Sequence, residues 1–113
     1  MVDQASAIIE DDEDPIDIEE IGSKAEAASN FLKTLSHEGR LMILCHLSGG
    51  EKSVTELEQL LSSRQAAVSQ QLARLRLEGL VTCRREGKIM LYALSDPKAR
   101  KMIDLVYQMF CAD

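Results

Sequence analysis

Three thiols, two imidazoles and one run of polar helix-forming residues carry the chemistry available to this sequence. Cys45, Cys83 and Cys111 are too few to pair completely within one chain, and their spacing matches no zinc motif. Cys45 lies within Leu44-Cys45-His46-Leu47, where a cysteine serves readily as a small hydrophobe. On a helical wheel Cys111 aligns with Asp104, Tyr107 and Gln108, off the Met102-Val106-Met109 stripe, and is expected to meet solvent. A reachable thiol reacts when a neighbour stabilises its thiolate. Cys83, at the start of a strand-like segment, reads as a bystander.

His37 and His46 share no helical ligand spacing and read as surface or capping residues. Residues 98–110 offer no His and one carboxylate, Asp104, and no cluster supplies the four donors of a tetrahedral site. No metal and no cofactor is expected. An enzyme is not expected either. Cys45 and His46 are helix neighbours pointing about 100° apart, which excludes a thiol–imidazole dyad, and there is no Cys-x-x-Cys, phosphate loop or paired acids.

The polar run Arg64-Gln65-Ala66-Ala67-Val68-Ser69-Gln70 suits the reading of base edges. Gln can pair with adenine and Arg with guanine, and a helix of this polarity fits the major groove. Arg64, Gln65, Ala66, Ser69 and Gln70 are the candidate contacts there, while Val68, Leu72 and Leu75 form the apolar line that would anchor the helix. Arg84, Arg85 and Lys88 surround a glycine link further on and could reach phosphates or a minor groove. Arg74 and Arg76 read as plain surface residues.

Periodicity supplies the elements that must position these groups. Ala25 to Leu35 repeats with a helical period, Ser36 can cap a second helix from His37 to Leu47, and Ser53 can cap a short third one. A polar break at Ser62-Ser63 precedes a fourth helix near Gln65 to Glu78, closed by Gly79. The period then falls to two in Val81–Arg85 and Ile89–Leu94, which flank Glu86-Gly87-Lys88 as a hairpin would. Asp96-Pro97 opens a last helix to about Phe110. The expected architecture is mainly α with a small β-hairpin, ordered α-α-α-α-β-β-α, a winged helix-turn-helix.

Composition agrees. A chain of 113 residues that is 45% apolar supports one small domain. Its net charge of −6 hides a segregation: residues 1–20 hold nine acids and no base, whereas 62–101 hold nine bases against three acids. Residues 1–20 are expected to be an acidic, disordered tail and 21–113 the DNA-binding and dimerisation domain. No apolar run approaches the roughly 18 residues that cross a bilayer. A basic start followed by an apolar stretch is also missing, so the expectation is a cytoplasmic protein with reduced thiols and no membrane partner.

Three segments together resemble a known family. Ser36-His37-Glu38-Gly39-Arg40-Leu41-Met42-Ile43-Leu44, Ala67-Val68-Ser69-Gln70-Gln71-Leu72-Ala73-Arg74-Leu75-Arg76 and Glu78-Gly79-Leu80-Val81 are similar to the ArsR/SmtB repressors of bacteria. Gln71 departs from the His that many members place after Ser-Gln, and bears on base preference. The resemblance implies a homodimer built on the first and last helices, bound to pseudo-palindromic double-stranded operator DNA. The apolar last helix independently suits a dimer. The segment Leu41–Leu47 and the ending Met109-Phe110-Cys111 resemble the persulfide-sensing branch typified by BigR and SqrR. That resemblance implies that Cys45 and Cys111 form a redox-sensing pair, cross-linked by persulfide or polysulfide, with release of the operator and derepression of sulfide-handling genes. A constitutive or peroxide-responsive winged-helix factor is the alternative.

Overall fold

Capping residues close to each helix end explain where the elements start and stop. The computed structural model describes residues 15–62 and 65–111, with residues 65 and 66 described through their backbone alone. Its elements are α1 (Ile18–Leu35), α2 (Glu38–Leu47), β1 (Lys52–Ser53), α3 (Val54–Leu61), α4 (Gln65–Leu77), β2 (Val81–Glu86), β3 (Ile89–Leu94) and α5 (Pro97–Phe110).

Three boundaries differ from expectation, each for a local reason. Helix α1 begins at Ile18 and not at Ala25, because the Asp17 carboxylate accepts the N–H groups of Glu19 at 3.0 Å and Glu20 at 3.2 Å. Glu19 and Glu20 also face the positive end of the helix dipole. Part of the acidic stretch assigned to a tail therefore starts a helix; residues 1–14 lie outside the described residues. Helix α2 is capped by His37, whose Nδ1 accepts the Arg40 N–H at 3.2 Å. Ser36 closes α1 instead, its hydroxyl donating to the Lys33 carbonyl at 3.0 Å. Strand β1, two residues long, is too short to leave a period in the sequence.

Other signals are realised closely, the hairpin link differing by one residue. Ser53 caps α3 in a reciprocal box with Glu56, the Ser hydroxyl accepting at 3.1 Å and the Glu carboxylate at 2.8 Å. Helix α4 ends at Gly79, at φ +79, where Gly79 N–H donates to Arg76 at 3.0 Å and Leu80 N–H to Leu75 at 2.9 Å. This is a Schellman end, and buried Leu80 and Leu75 supply its apolar contact. The hairpin link is tighter than read: Glu86 pairs with Ile89, leaving Gly87, at φ +66, and Lys88 as the turn. The sheet is antiparallel in the order β1-β3-β2, with Lys52 opposite Tyr92 and Val81 opposite Leu94.

Helix α2 sits at the centre and packs against α1, α3, α4, α5 and β3. Its Ile43, Leu44 and Leu47 meet Leu57 of α3, Leu72 of α4 and Ile103 of α5 in one core. Arg100 ties α5 to the end of α2 through the Ser48 carbonyl at 3.3 Å. Ser95 closes the base of the hairpin onto the end of α4, its N–H donating to Leu80 at 3.0 Å and its hydroxyl to Gly79 at 3.1 Å. Among the described residues, no helix is long and apolar enough to cross a membrane.

Candidate nucleic-acid interface and thiol pair

The orientation of α4 follows from its apolar line. Val68, Leu72 and Leu75 are at most 2% exposed, which turns Ser69, Gln70, Ala73 and Arg74 outward. Helix α3 packs across α4, so α3–α4 form a helix-turn-helix whose second helix presents a polar outer face. The backbone of Gln65 and Ala66 opens that helix. Arg64 and the side chains of Gln65 and Ala66 lie outside the described residues.

Gln71 meets α2. Its Oε1 accepts a hydrogen bond from Arg40 Nη1 at 2.9 Å, and the residue is half-buried. It turns toward α2, about 100° around the helix from the outward Gln70. Periodicity along α4 does not show which residue of α2 stands opposite, so the sequence carries no sign of this bond.

The hairpin carries its three cations unequally. Arg84 is not at the tip: it stands opposite Leu91 and makes a two-pronged bond to Glu51, Nε to Oε2 at 2.8 Å and Nη2 to Oε1 at 2.9 Å. Glu86 adds a looser contact at 3.5 Å. The bonds from Arg84 hold the Glu51 carboxyl below its ordinary ionisation range. Arg85 and Lys88, beside the turn, are exposed and make no ion pair among the described residues. Arg74 is paired with Glu78 at 3.4 Å in the i,i+4 arrangement of a surface helix.

The thiols fall elsewhere. Cys45 is half-buried on α2 against the core, and Cys111 ends α5, exposed, with its N–H on the Tyr107 carbonyl at 2.8 Å. Burial pushes the Cys45 thiol up from its usual ionisation range, and the negative charge of Cys111 pushes it further. Helix α2, which holds Cys45, packs against α5, which ends at Cys111. Cys83 is half-buried on β2, opposite Tyr92. Among the described residues no three His, Cys, Asp or Glu side chains converge as metal ligands.

Residues 37–82, from the α2 cap to the start of β2, match the model of the bacterial regulatory protein arsR family. The chain is 46% identical over 105 residues to the biofilm growth-associated repressor of Agrobacterium fabrum, covering 88% of this chain and 90% of that one. The chain belongs to the arsR family. The transcriptional activator HlyU of Vibrio cholerae is 39% identical over 97 residues, 86% of this chain and 90% of the relative. The crystal structure of the transcriptional repressor BigR from Xylella fastidiosa superposes with a TM-score of 0.81 at 43% identity, over 87% of this chain and all of that one. The α3–α4 pair with its β2–β3 wing is accordingly the winged helix of arsR-family regulators, and the protein is a DNA-binding transcriptional regulator rather than an enzyme.

Proposed function

We propose that this arsR-family protein is a dithiol-based repressor that works as a homodimer and releases operator DNA when Cys45 and Cys111 are cross-linked by persulfide or polysulfide. The observation that carries the reading is the packing of α2, which holds half-buried Cys45, against α5, which ends at exposed Cys111. Repression agrees with the names of the Agrobacterium and Xylella relatives, each described as a repressor. Dimerisation is supported by apolar side chains left open on α1 and α5, including Ile18, Leu32, Leu105 and Phe110, the last 81% exposed.

The chemistry balances without a further oxidant. The Cys111 thiolate attacks the outer sulfur of a persulfide RSSH, forming Cys111–S–SH and expelling RS⁻. The Cys45 thiolate then attacks the inner sulfur, forming the Cys45–Cys111 disulfide and expelling HS⁻. A plain disulfide needs Cα atoms about 4.4–6.8 Å apart. At larger separations the Cys45 thiolate attacks the inner sulfur of a second RSSH and expels HS⁻ to give Cys45–S–S–R. The Cys111 persulfide anion then attacks the Cys45 sulfur of that disulfide, expelling RS⁻ and leaving a third sulfur in the bridge. Exposed Cys111 meets the effector first, and half-buried Cys45 resolves the product.

The bridge acts on DNA by favouring one of two arrangements of the dimer, a coupling typically worth about 5–150-fold in affinity. The test uses a duplex selected by the reduced protein from a randomised pool. Persulfide treatment is expected to weaken binding by the parent within that range, while Cys45→Ser binds the duplex normally and ignores the treatment. Release of Cys45→Ser by persulfide refutes the pair, and equal release of the parent by peroxide refutes the sulfur-specific effector.

A further inference from the structure

The α2 arginine that touches Gln71 has more partners than a surface arginine needs. Arg40 Nε donates to the Thr34 carbonyl at 2.7 Å, Nη2 to the Lys33 carbonyl at 3.4 Å and Nη1 to Gln71 Oε1 at 2.9 Å. Two of these acceptors are carbonyls in the last turn of α1, and that of Lys33 also takes the Ser36 N–H at 3.2 Å and hydroxyl at 3.0 Å. The third is a side chain in the middle of α4. Thr34, whose carbonyl takes the shortest bond, is fully buried, with its hydroxyl on the Asn30 carbonyl at 3.0 Å. One planar cation thus spans three helices from an anchored end. A lysine ammonium has no rigid fork with which to hold all three acceptors.

We infer that Arg40 is a positioning residue for DNA recognition: through Gln71 it sets the rotation of α4 about its axis, and with it the direction in which Ser69 and Gln70 face. The apolar line of α4 holds the helix against the core, but apolar contacts are non-directional and tolerate small rolls. A charge-assisted bond to one flank of the helix is directional and removes that freedom. Gln70 and Gln71 are adjacent and about 100° apart on the helix, so fixing one fixes the bearing of the other. The inference rests on α4 being the helix that reads DNA. It assigns Gln71 to the protein side of that helix.

Arg40→Lys and Gln71→Met both leave the net charge unchanged, so the electrostatic, sequence-independent part of DNA binding is an internal control. Each variant is measured by fluorescence anisotropy on a duplex selected by the parent from a randomised pool and on a scrambled duplex of equal length and composition. Thermal unfolding is followed in parallel. The expected result is about a tenfold loss on the selected duplex for each variant, the scale of losing one charge-assisted hydrogen bond. The scrambled duplex binds unchanged, and Arg40→Lys/Gln71→Met loses no more than either single variant. Reselection from the pool with Gln71→Met returns the parental consensus with lower contrast at every position. A change of preference confined to one base pair means that Gln71 reads that base, and overturns the inference. Lower thermal stability with an unchanged ratio of selected to scrambled affinity also overturns it. If Gln70→Ala lowers that ratio while Arg40→Lys does not, the brace fails and the reading helix stands.

Discussion

Helices α4 and α5 are of nearly equal length and each buries one side in the same core, yet their outer sides differ. Outside its Val68-Leu72-Leu75 line, α4 presents Ser69, Gln70, Ala73, Arg74 and Arg76, with Leu77 exposed at its end. Outside Ala99 and Ile103, α5 presents Leu105, Tyr107, Met109 and Phe110, the last two 60% and 81% exposed, beside the charged Lys101 and Asp104. A polar outer face is stable in water and can exchange that water for phosphates and base edges. An apolar outer face of this size is at rest only against another apolar surface. The contrast supports the proposed division of partners, with nucleic acid on α4 and the wing and a second copy on α5 and α1.

The largest effect should come from breaking the apolar side of the contrast. Leu105→Lys is expected to convert the dimer into monomers by sedimentation velocity and to weaken binding to a two-half-site duplex by about 10²–10⁴-fold, through loss of avidity. A dimer of parental stability in that variant would remove α5 from the interface. On the polar side, Gln70→Ala should weaken the selected duplex by about 1–3 kcal/mol and leave a scrambled one unaffected. Equal losses on the two duplexes would make Gln70 a backbone contact. A smaller, sequence-independent effect is expected at the wing tip, where Lys88→Ala should reduce the slope of log affinity against log salt by about 1. An unchanged slope would mean that the tip stands off the DNA.

The smallest effect concerns the thiols. Because Cys111 is one of the two causes raising the Cys45 ionisation, Cys111→Ser should lower it. Burial remains, so Cys45 should still ionise above the usual thiol range. The pH profile of Cys45 alkylation by iodoacetamide reads the shift directly. A profile that does not move would show that the two sulfurs do not sense each other.

Much of the fold was legible because its determinants lie within a few residues of one another. Ser53 and Glu56 mark the start of α3, Gly79 the end of α4, Gly87 the hairpin turn and Asp96-Pro97 the start of α5, each by a bond or a backbone angle confined to its own turn. His37 and Asp17 are caps of the same kind. They were harder to read, since Ser36 competes with the first and a long acidic run conceals the second. Of the candidate site, the outward direction of Ser69 and Gln70 followed from the α4 period, whereas the pairing of Arg84 with Glu51 left no trace in either segment.

The amino-acid sequence by itself determined the order of the helices and the hairpin, the inward line of α4, the basic wing and the polar outer positions of α4, all of which follow from periods of 3.6 and 2 and from short-range capping. Only the tertiary structure decided that Arg40 grips Gln71 and that Glu51 occupies Arg84. Those contacts join residues 31 and 33 positions apart. Their existence depends on the angles at which α2, α4, α5 and the wing pack around a shared core. Side-chain volumes from every element set those angles together, and no single stretch of sequence contains them.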